Sequence, residues 1–463
     1  MALASYPEAR TPVELSLSPV FHYQYSSIHK ALHYLAADSQ KRSMLQKDIQ
    51  ELCMSYFQSA ASPAYYLLAT DTTPQCKPHS PSLKERTYIA TPNNVIAGNK
   101  PLNIGYETSF INISDGNKAW SLPLSIRRVA FTQTASECAL QQLEELFEHP
   151  TLGFKEHLVV NTLDSKYGNP HYLAPAHQHD QLVNVVRLRS GMKVWKQNIR
   201  TDTGGAPGIY GEKYYLHAES QYKSYKHPKT KESYQVFQQS IFELPADETL
   251  RFCTQTSKGR KLLVELWRWN NLMFRTKNGH NMKDKPFDLI AVNVFDAQSG
   301  KRIFDREMFI AITGKHKDTL SIYQGYEFYR RRYDIEPYLR FAKQRLMFNN
   351  YQTPDTEHLD SWLWVIQLAS WLLYTASEET RYQPRKWEQY LPKNKQVKLG
   401  ERLSISQTRK SIQNLFLTFD PEPFKPIKCK KGKGRKFGQR FQPRKRYPVL
   451  KKTKSKHQIE KIE

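Results

Sequence analysis

The stretch that decides the fold is YRRRYDIEPYLRFAK, residues 329–343. It spaces Tyr329, Arg332, Glu336 and Lys343 at successive intervals of three, four and seven residues. Because an α-helix repeats every 3.6 residues, side chains at these offsets share one face, and the pattern predicts one helix that carries all four. Such a stripe is unsuited to a hydrophobic core. It is typical either of a solvated helical face or of a metal ion held beside a phosphate backbone.

The overall composition indicates a folded protein with a polyanionic partner. The chain has 463 residues and 12% aromatic residues, enough to bury a sizeable core without disulfide or metal staples. It carries 69 Lys or Arg against 44 Asp or Glu, a net charge of +25. An excess of this size favours nucleic acid as the partner.

The cysteines and the apolar segments bear on the compartment. The five cysteines form no C-x-x-C pair, so we expect neither a disulfide framework nor a zinc module, and a reducing cytoplasm fits best. The start of the chain has no charged segment followed by an apolar run, and the most apolar helix candidate, 362–374, is too short to span a bilayer. We therefore expect neither secretion nor membrane insertion.

The positive charge is concentrated at the C-terminal end. Residues 425–463 contain 16 Lys or Arg and two Glu, a net +14. Gly, Pro and isolated aromatic residues separate the charges, a composition that disfavours packing and predicts an extended arm on phosphates. The alternative is a tail that only increases solubility.

The periodicity of apolar residues predicts alternating strands and helices. Residues 20–60 have helical spacing and contain neither Pro nor Gly. The strand candidates that follow are 64–71, 106–114, 119–131, 156–164 and 182–189, and the helix candidates among them are 135–147 and 170–177. The order is three strands, a helix, a strand, a helix and a strand. We therefore expect an α/β fold with a mixed sheet flanked by helices.

Beyond residue 190 the sequence pattern changes to short strand candidates separated by Gly and Pro turns. These candidates include 261–269, 288–296 and 306–313. We expect an inserted β-rich subdomain there. The resulting five-part division is an N-terminal helical unit that contacts DNA, a first core segment, the β-rich insertion, a second core segment with the Glu-bearing helix, and a basic arm. Their boundaries are 1–60, 61–190, 191–315, 316–400 and 401–463.

Three acidic residues are the candidates for chemistry. Asp71 and Asp164 each end an apolar strand candidate, and Glu336 lies on the helix. Converging carboxylates repel one another unless cations hold them together, and their hard oxygens favour Mg²⁺ or Mn²⁺. Two such ions can activate an attacking oxygen and stabilise a leaving oxygen in phosphodiester cleavage. Asp115 is an alternative to Asp71, although its DGN setting favours a turn.

With these residues in view, the chain resembles the DDE transposases of bacterial insertion sequences, which have a ribonuclease-H-like core. The branch with a β-strand insertion shows Tyr, two residues, Arg, three residues, Glu, six residues and Lys, and residues 329–343 reproduce each interval. Asp164 is followed by a Tyr-Gly turn, in LDSKYGNPHYL, as in that family. The resemblance covers roughly residues 60–380.

The resemblance implies a set of roles. Asp71, Asp164 and Glu336 would be the catalytic residues and would bind two Mg²⁺ or Mn²⁺ ions, with Asp71 as the bridge. The DNA-binding residues near the transposon end would be Tyr329, Arg332 and Lys343.

The resemblance also implies an activity. The enzyme would be a metal-dependent endonuclease that cuts at element ends and joins the 3′ hydroxyl to target DNA, acting as a dimer on double-stranded DNA in the nucleoid-containing cytoplasm. No nucleotide cofactor is indicated. The alternatives are a non-catalytic DNA-binding protein derived from a transposase and a metal-dependent nuclease without strand transfer.

Two weaker sequence signals concern aromatic and histidine residues. In related enzymes an aromatic residue of the β insertion stacks on a flipped base, and Trp267 or Trp269 is the candidate here, although burial is expected for at least one of them. His177 and His179 are interpreted as loop histidines rather than metal ligands.

Overall fold

The structure is a computed structural model, and its description covers every residue except 37, 61–63, 92–100, 116–119, 199–208, 228–229, 231, 257–258, 278, 354, 383–385, 393–402, 420–436, 439, 441 and 453–463. The helices are α1 (Ala2–Ser5), α2 (Ser26–Ala36), α3 (Ser39–Ala60), α4 (Ala135–Glu148), α5 (Pro170–Ala176), α6 (Ile322–Arg331), α7 (Ile335–Arg345), α8 (Thr356–Glu379) and α9 (Ile405–Phe419). The strands are β1 (Tyr65–Cys76), β2 (Thr87–Ala90), β3 (Leu102–Ser114), β4 (Ser121–Arg128), β5 (Leu158–Leu163), β6 (Leu182–Leu188), β7 (Lys193–Gln197), β8 (Tyr210–Tyr215), β9 (Gln221–Lys226), β10 (Ser233–Gln238), β11 (Glu248–Gln255), β12 (Lys261–Met273), β13 (Phe287–Asp296) and β14 (Met308–Thr313).

The chain forms two compact units. The first contains Met1–Pro63, Asp71–Gln142 and Asp334–Glu463, and the second contains Ala64–Thr70 and Leu143–Tyr333. Strand β1 therefore contributes its residues up to 70 to the second unit and the remainder to the first. The five-part division expected from the sequence stays a prediction.

The second unit contains a mixed sheet. Strands β1, β5 and β6 pair in parallel, and β6 then pairs with β14 in antiparallel orientation, followed by β13, β12, β7 and β8. Strands β5 and β6 are almost continuous apolar runs, as expected for strands that are covered on both faces. The predicted α/β class, with a large mixed sheet and flanking helices, is confirmed.

Helix α6 packs against this sheet at a glycine. It contacts β5, β6, β13 and β14, and its Gly325 faces the sheet. A Cβ atom at Gly325 would lie 2.7 Å from Ile312 Cδ1 and 2.8 Å from Ile290 Cδ1. The absence of a side chain thus allows the close approach of the helix that leads to Tyr329.

The β-rich region expected at 191–315 contains strands, and several of them extend the sheet. Because β14 pairs with β6, strands β12 to β14 belong to the same sheet as β1, β5 and β6. Strands β9 and β10 pair only with each other among the described residues. They form a separate two-stranded ribbon.

In the first unit, β4 pairs with β3, which lies between β2 and β1, and α8 covers β4. Gln367 Nε2 donates to Leu124 O at 2.9 Å, and Trp371 Nε1 donates to Pro123 O at 2.8 Å. Helices α1, α2, α3 and α9 also contact α8. The N-terminal helices predicted for 20–60 are thus observed as α2 and α3, packed on a helix from the C-terminal part of the chain.

The prediction of one helix over 329–343 is wrong. Helix α6 ends at Arg331, a 3-10 turn spans Arg332–Asp334, and α7 begins at Ile335. The physical reason is Pro337, which lacks an N–H group and would clash with the carbonyl four residues earlier, whereas it is tolerated in the first turn of a new helix.

Candidate nucleic-acid and metal site

Two of the predicted acids follow the last paired residues of the parallel β1–β5 pairing. Thr70 of β1 and Leu163 of β5 are the last register partners of that pair, and each is followed in sequence by an aspartate, Asp71 and Asp164. Asp71 belongs to the first unit and Asp164 to the second. The expectation that β1 ends at Asp71 is wrong, because the strand continues to Cys76.

A buried polar ladder fixes the register of these strands. Thr70 Oγ1 donates to Asn161 Oδ1 at 2.8 Å, and Asn161 Nδ2 donates to the Tyr172 hydroxyl at 3.0 Å and to Asn184 Oδ1 at 3.3 Å. Asn161 and Asn184 are register partners in β5 and β6. A slip by one residue would bury these polar groups against apolar side chains, so the ladder disfavours any other pairing.

Asp164 opens a tight turn after β5. Its Oδ1 accepts from Lys166 N at 2.9 Å, and its carbonyl accepts from Tyr167 N at 3.2 Å. Tyr167 is fully buried, and a Cβ at Gly168 would lie 2.7 Å from Arg187 O. The Tyr-Gly pair noted in the sequence thus lets the turn pack against β6 and holds the Asp164 backbone in place.

In the first unit, Asp71 lies within the electrostatic range of Lys343. Burial lowers the pKa of Lys343, and Cys76 and Asp71 act in the opposite direction. Asp71 Oδ1 also accepts from Thr72 N at 2.7 Å. The end of β1 and the segment after α7 are joined further, because Gln75 Nε2 donates to Phe348 O at 3.0 Å.

Glu336 occupies the first turn of α7 and is exposed. The positive end of the helix dipole favours a carboxylate at this position. The opposite side of α7 is buried, with the Tyr338 hydroxyl 3.1 Å from Ser370 Oγ of α8. The helix is thus anchored on one side while Glu336 points away from the packed core.

Tyr329 and Arg332 of the predicted motif lie together in the second unit. Tyr329 is 1% exposed and Arg332 is 6% exposed, and the Arg332 guanidinium carbon lies 5.8 Å from the Tyr329 ring centroid and 4.7 Å from that of Tyr333. Burial raises the pKa of Tyr329, while Arg332 and Arg187 oppose that shift. Two guanidinium groups therefore act on one buried phenol.

Arg187 was not among the residues predicted from the sequence. It is the exposed residue in the otherwise buried run of β6, LVNVVRL. A single cation in an apolar strand is the signal that could have identified it. Its charge acts on Tyr329 together with that of Arg332.

The metal site stays a prediction. Aspartate and glutamate oxygens fit Mg²⁺ in kind, and two acids follow the last paired residues of β1 and β5. Within the described part of the chain, however, no group of three or more His, Cys, Asp or Glu side chains is gathered so that it could hold a metal ion. The carboxylates thus have the donor chemistry that Mg²⁺ prefers, but the described residues do not assemble a complete set of ligands.

The other aromatic and histidine candidates are accounted for. Trp269 is buried, with its Nε1 donating to Leu244 O at 2.8 Å, as expected for one of the two tryptophans. Trp267 is half-buried, with its ring centroid 5.7 Å from that of Phe242. His177 caps the end of α5, and His179 stacks on Phe147 with ring centroids 4.4 Å apart.

Among the helices that the structure describes, none has the length and apolarity needed to cross a membrane. A scan against protein-family models gives no match, and a search of curated proteins finds no relative.

Proposed function

We propose that this protein is a DNA transposase whose α/β core is of the ribonuclease-H-like type. The observation that carries the proposal is the register of β1 and β5, in which the last paired residues, Thr70 and Leu163, are each followed by an aspartate. Asp164 directly follows β5, and Asp71 is the first residue of β1 beyond its pairing with β5. The order of elements from β1 through β6 supports the proposal, since it has the strands and helices that the resemblance implies.

In this proposal Asp71, Asp164 and Glu336 hold Mg²⁺ or Mn²⁺. When bound, two such ions would neutralise the charge that develops on the attacking and leaving oxygens of a phosphodiester. The Asp164 turn, fixed by the buried Tyr167, keeps one carboxylate in position. The exposed setting of Glu336 leaves its carboxylate accessible to a ligand.

In this proposal the remaining residues of the motif serve the transposon end. Tyr329 and Arg332 are buried and act by positioning, whereas the exposed Arg187, whose charge acts on Tyr329, can bind phosphate through paired N–H donors. Lys343 supplies a point charge, and its partly buried setting lowers its pKa, a shift that a bound phosphate would reverse. Two such ends are brought together by a dimer on double-stranded DNA.

The test is cleavage of labelled duplexes that cover the DNA on both sides of the coding sequence. Wild type with Mg²⁺ or Mn²⁺ is compared with a chelated sample, with Glu336→Gln, and with Glu357→Gln as the matched control. Glu357 also lies in the first turn of a helix of the first unit and is exposed. We expect metal-dependent nicking at the ends, lost in Glu336→Gln and retained in Glu357→Gln.

The runner-up is a non-catalytic DNA-binding protein derived from a transposase. The observation that favours it is that the described residues do not gather three potential metal ligands. Tight end binding without cutting, in wild type and Glu336→Gln alike, would select this function. Cutting without products joined to target DNA would instead select a metal-dependent nuclease.

A further inference from the structure

The ribbon of β9 and β10 presents aromatic rings to solvent. Tyr222 and Phe237 are register partners on one face, with ring centroids 5.1 Å apart, and they are 70% and 50% exposed. On the opposite face Tyr225 and Tyr234 form a second pair with centroids 5.9 Å apart. Cross-strand aromatic pairs stabilise a ribbon, but that role leaves the outer surfaces of Tyr222 and Phe237 in water.

The charges on this ribbon have one sign. Its strands, QYKSYK and SYQVFQ, contain Lys223 and Lys226 and no acidic residue. Lys226 shares the face of Tyr222, because side chains alternate along a strand. At the base of the ribbon, Lys193 and Lys213 lie 5.5 and 5.4 Å from the centroid of the Tyr215 ring.

The base of the ribbon is firmly attached to the second unit. Tyr215 forms an isolated bridge with Ser240, and Ser240 Oγ donates to His217 O at 2.6 Å. Gln238 Nε2 donates to the Tyr225 hydroxyl at 2.8 Å, and the Gln238 Oε1 atom lies 2.9 Å from His217 Nε2. These contacts connect the base of the ribbon to Tyr215 and His217 of the second unit.

We propose that the Tyr222–Phe237 face of the ribbon binds a single DNA strand by stacking on its bases, while Lys226 on the same face contacts its phosphates. Aromatic side chains interleaved with cations suit unpaired nucleotides, since every base offers a ring face and every nucleotide a negative charge. The inference deepens the proposed function by naming a DNA form that this surface recognises, and it rests on that function for its setting. Binding itself requires neither metal nor the acids.

The test measures anisotropy of two fluorescein-labelled strands of equal length, oligo-dT and its abasic counterpart, with full-length protein in chelator. We expect Tyr222→Thr/Phe237→Thr to bind oligo-dT about tenfold more weakly and the abasic strand unchanged, because only stacking is removed. Threonine keeps the strand propensity. The exchange Tyr222→Phe/Phe237→Tyr retains both rings and should bind as wild type does.

The matched control is Phe304→Thr, which removes a ring that is 62% exposed in the same unit but outside the ribbon. It should leave binding of oligo-dT unchanged. A strand that carries 5-iodouracil should photo-crosslink within 221–238. Equal weakening on both strands, or crosslinks confined to other segments, would overturn the inference.

Two further outcomes separate the alternatives. If wild type sediments as a dimer without DNA and the double threonine variant does not, the face is a protein interface and the inference is overturned. Asp164→Asn should lose end cleavage and still bind oligo-dT as wild type does. If wild type itself cuts no end but binds oligo-dT through the ribbon, the transposase proposal fails alone.

Discussion

The Asp288 carboxylate, which has no exposed surface, accepts a hydrogen bond of 2.9 Å from Lys317 Nζ. Arg268 Nη2 donates to its other oxygen at 2.5 Å, and Arg268 Nη1 donates to Leu320 O at 2.8 Å. This buried network joins β12 and β13 to the segment that precedes α6. It holds the start of the helix that leads to Tyr329.

Replacing Asp288 by Asn should strongly destabilise the second unit. The change removes the buried anion that Arg268 and Lys317 share, and such a loss costs about 3–5 kcal/mol of unfolding free energy, measurable by urea denaturation. The matched control is Asp318→Asn, because Asp318 also pairs with Lys317 but its side chain is 76% exposed. That variant should lose less than about 1 kcal/mol. Equal losses of unfolding free energy in the two variants would show that burial of the Asp288 ion pairs does not add to their contribution.

Stability should fall in acid partly through Asp296. Its pKa lies well below its usual range, because Ser299 N and Oγ, Arg260 Nε and Gln298 N donate to its carboxylate. The folded state therefore favours the charged form, so the stabilisation is complete above the ordinary value of 3.8 and is lost as pH falls below it.

The measurement is the urea midpoint of wild type and Asp296→Asn between neutral pH and strong acid. Asn retains an oxygen for the turn but does not titrate. The advantage of wild type should shrink below the ordinary Asp pKa. A difference that stays constant with pH would show that the ionised carboxylate does not contribute.

Asp164→Asn should abolish end cleavage and leave end binding largely intact. The amide keeps the turn acceptor for Lys166 N but removes the charge that would hold a divalent cation. We expect a rate loss of about a thousandfold or more, which corresponds to roughly 4 kcal/mol in the barrier. Asp180→Asn, an exposed site in the same unit that pairs with Lys315, is the control and should cut normally. Full cleavage by Asp164→Asn would remove it from the metal site.

The basic tail should set the salt dependence of DNA binding. Deleting 425–463 should weaken binding and flatten the plot of affinity against salt, since each lost phosphate contact lowers the slope by about 0.9. An unchanged slope would leave the tail with a solubilising role. The deletion also removes Leu450, whose N–H donates to Arg86 O at 2.8 Å.

A variant with Gln at the Lys and Arg positions of 425–440 avoids that complication. It retains the docked residues Tyr447 and Leu450. The deletion removes 16 Lys or Arg and the variant removes eight, so about half of the loss of slope in the variant would assign the effect to charge. Loss only in the deletion would assign it to residues 441–463.

The sequence predicted those elements whose burial is visible locally. The apolar runs of β5 and β6 identified both strands, and the helical spacing of 135–147 identified α4. The extension of β1 beyond Asp71 could not be predicted in this way, because its residues TTPQC are polar and their strand conformation depends on pairing with the distant β3.

The candidate site shows the same division. Pro337 is visible in the sequence and disfavours one continuous helix over 329–343. Arg187 beside Tyr329 and the buried Asp288 network depend on contacts between segments far apart in the chain, and no local pattern encodes them. Part of the segment predicted as an extended basic arm is the helix α9. The helical spacing of apolar residues at 405–419 is the signal that predicts it.

The parallel pairing of β1 with β5 constrains the order in which the protein can fold. Tyr65 pairs with Leu158, and Val185 of β6 pairs with Ile312 of β14, so each partner is synthesised long after the first strand has left the ribosome. Contacts of such long sequence separation form slowly, and unpaired apolar strands promote aggregation in the meantime. The nascent chain therefore exposes one edge of β1 until β5 emerges, and slower synthesis at low temperature should favour soluble protein over inclusion bodies.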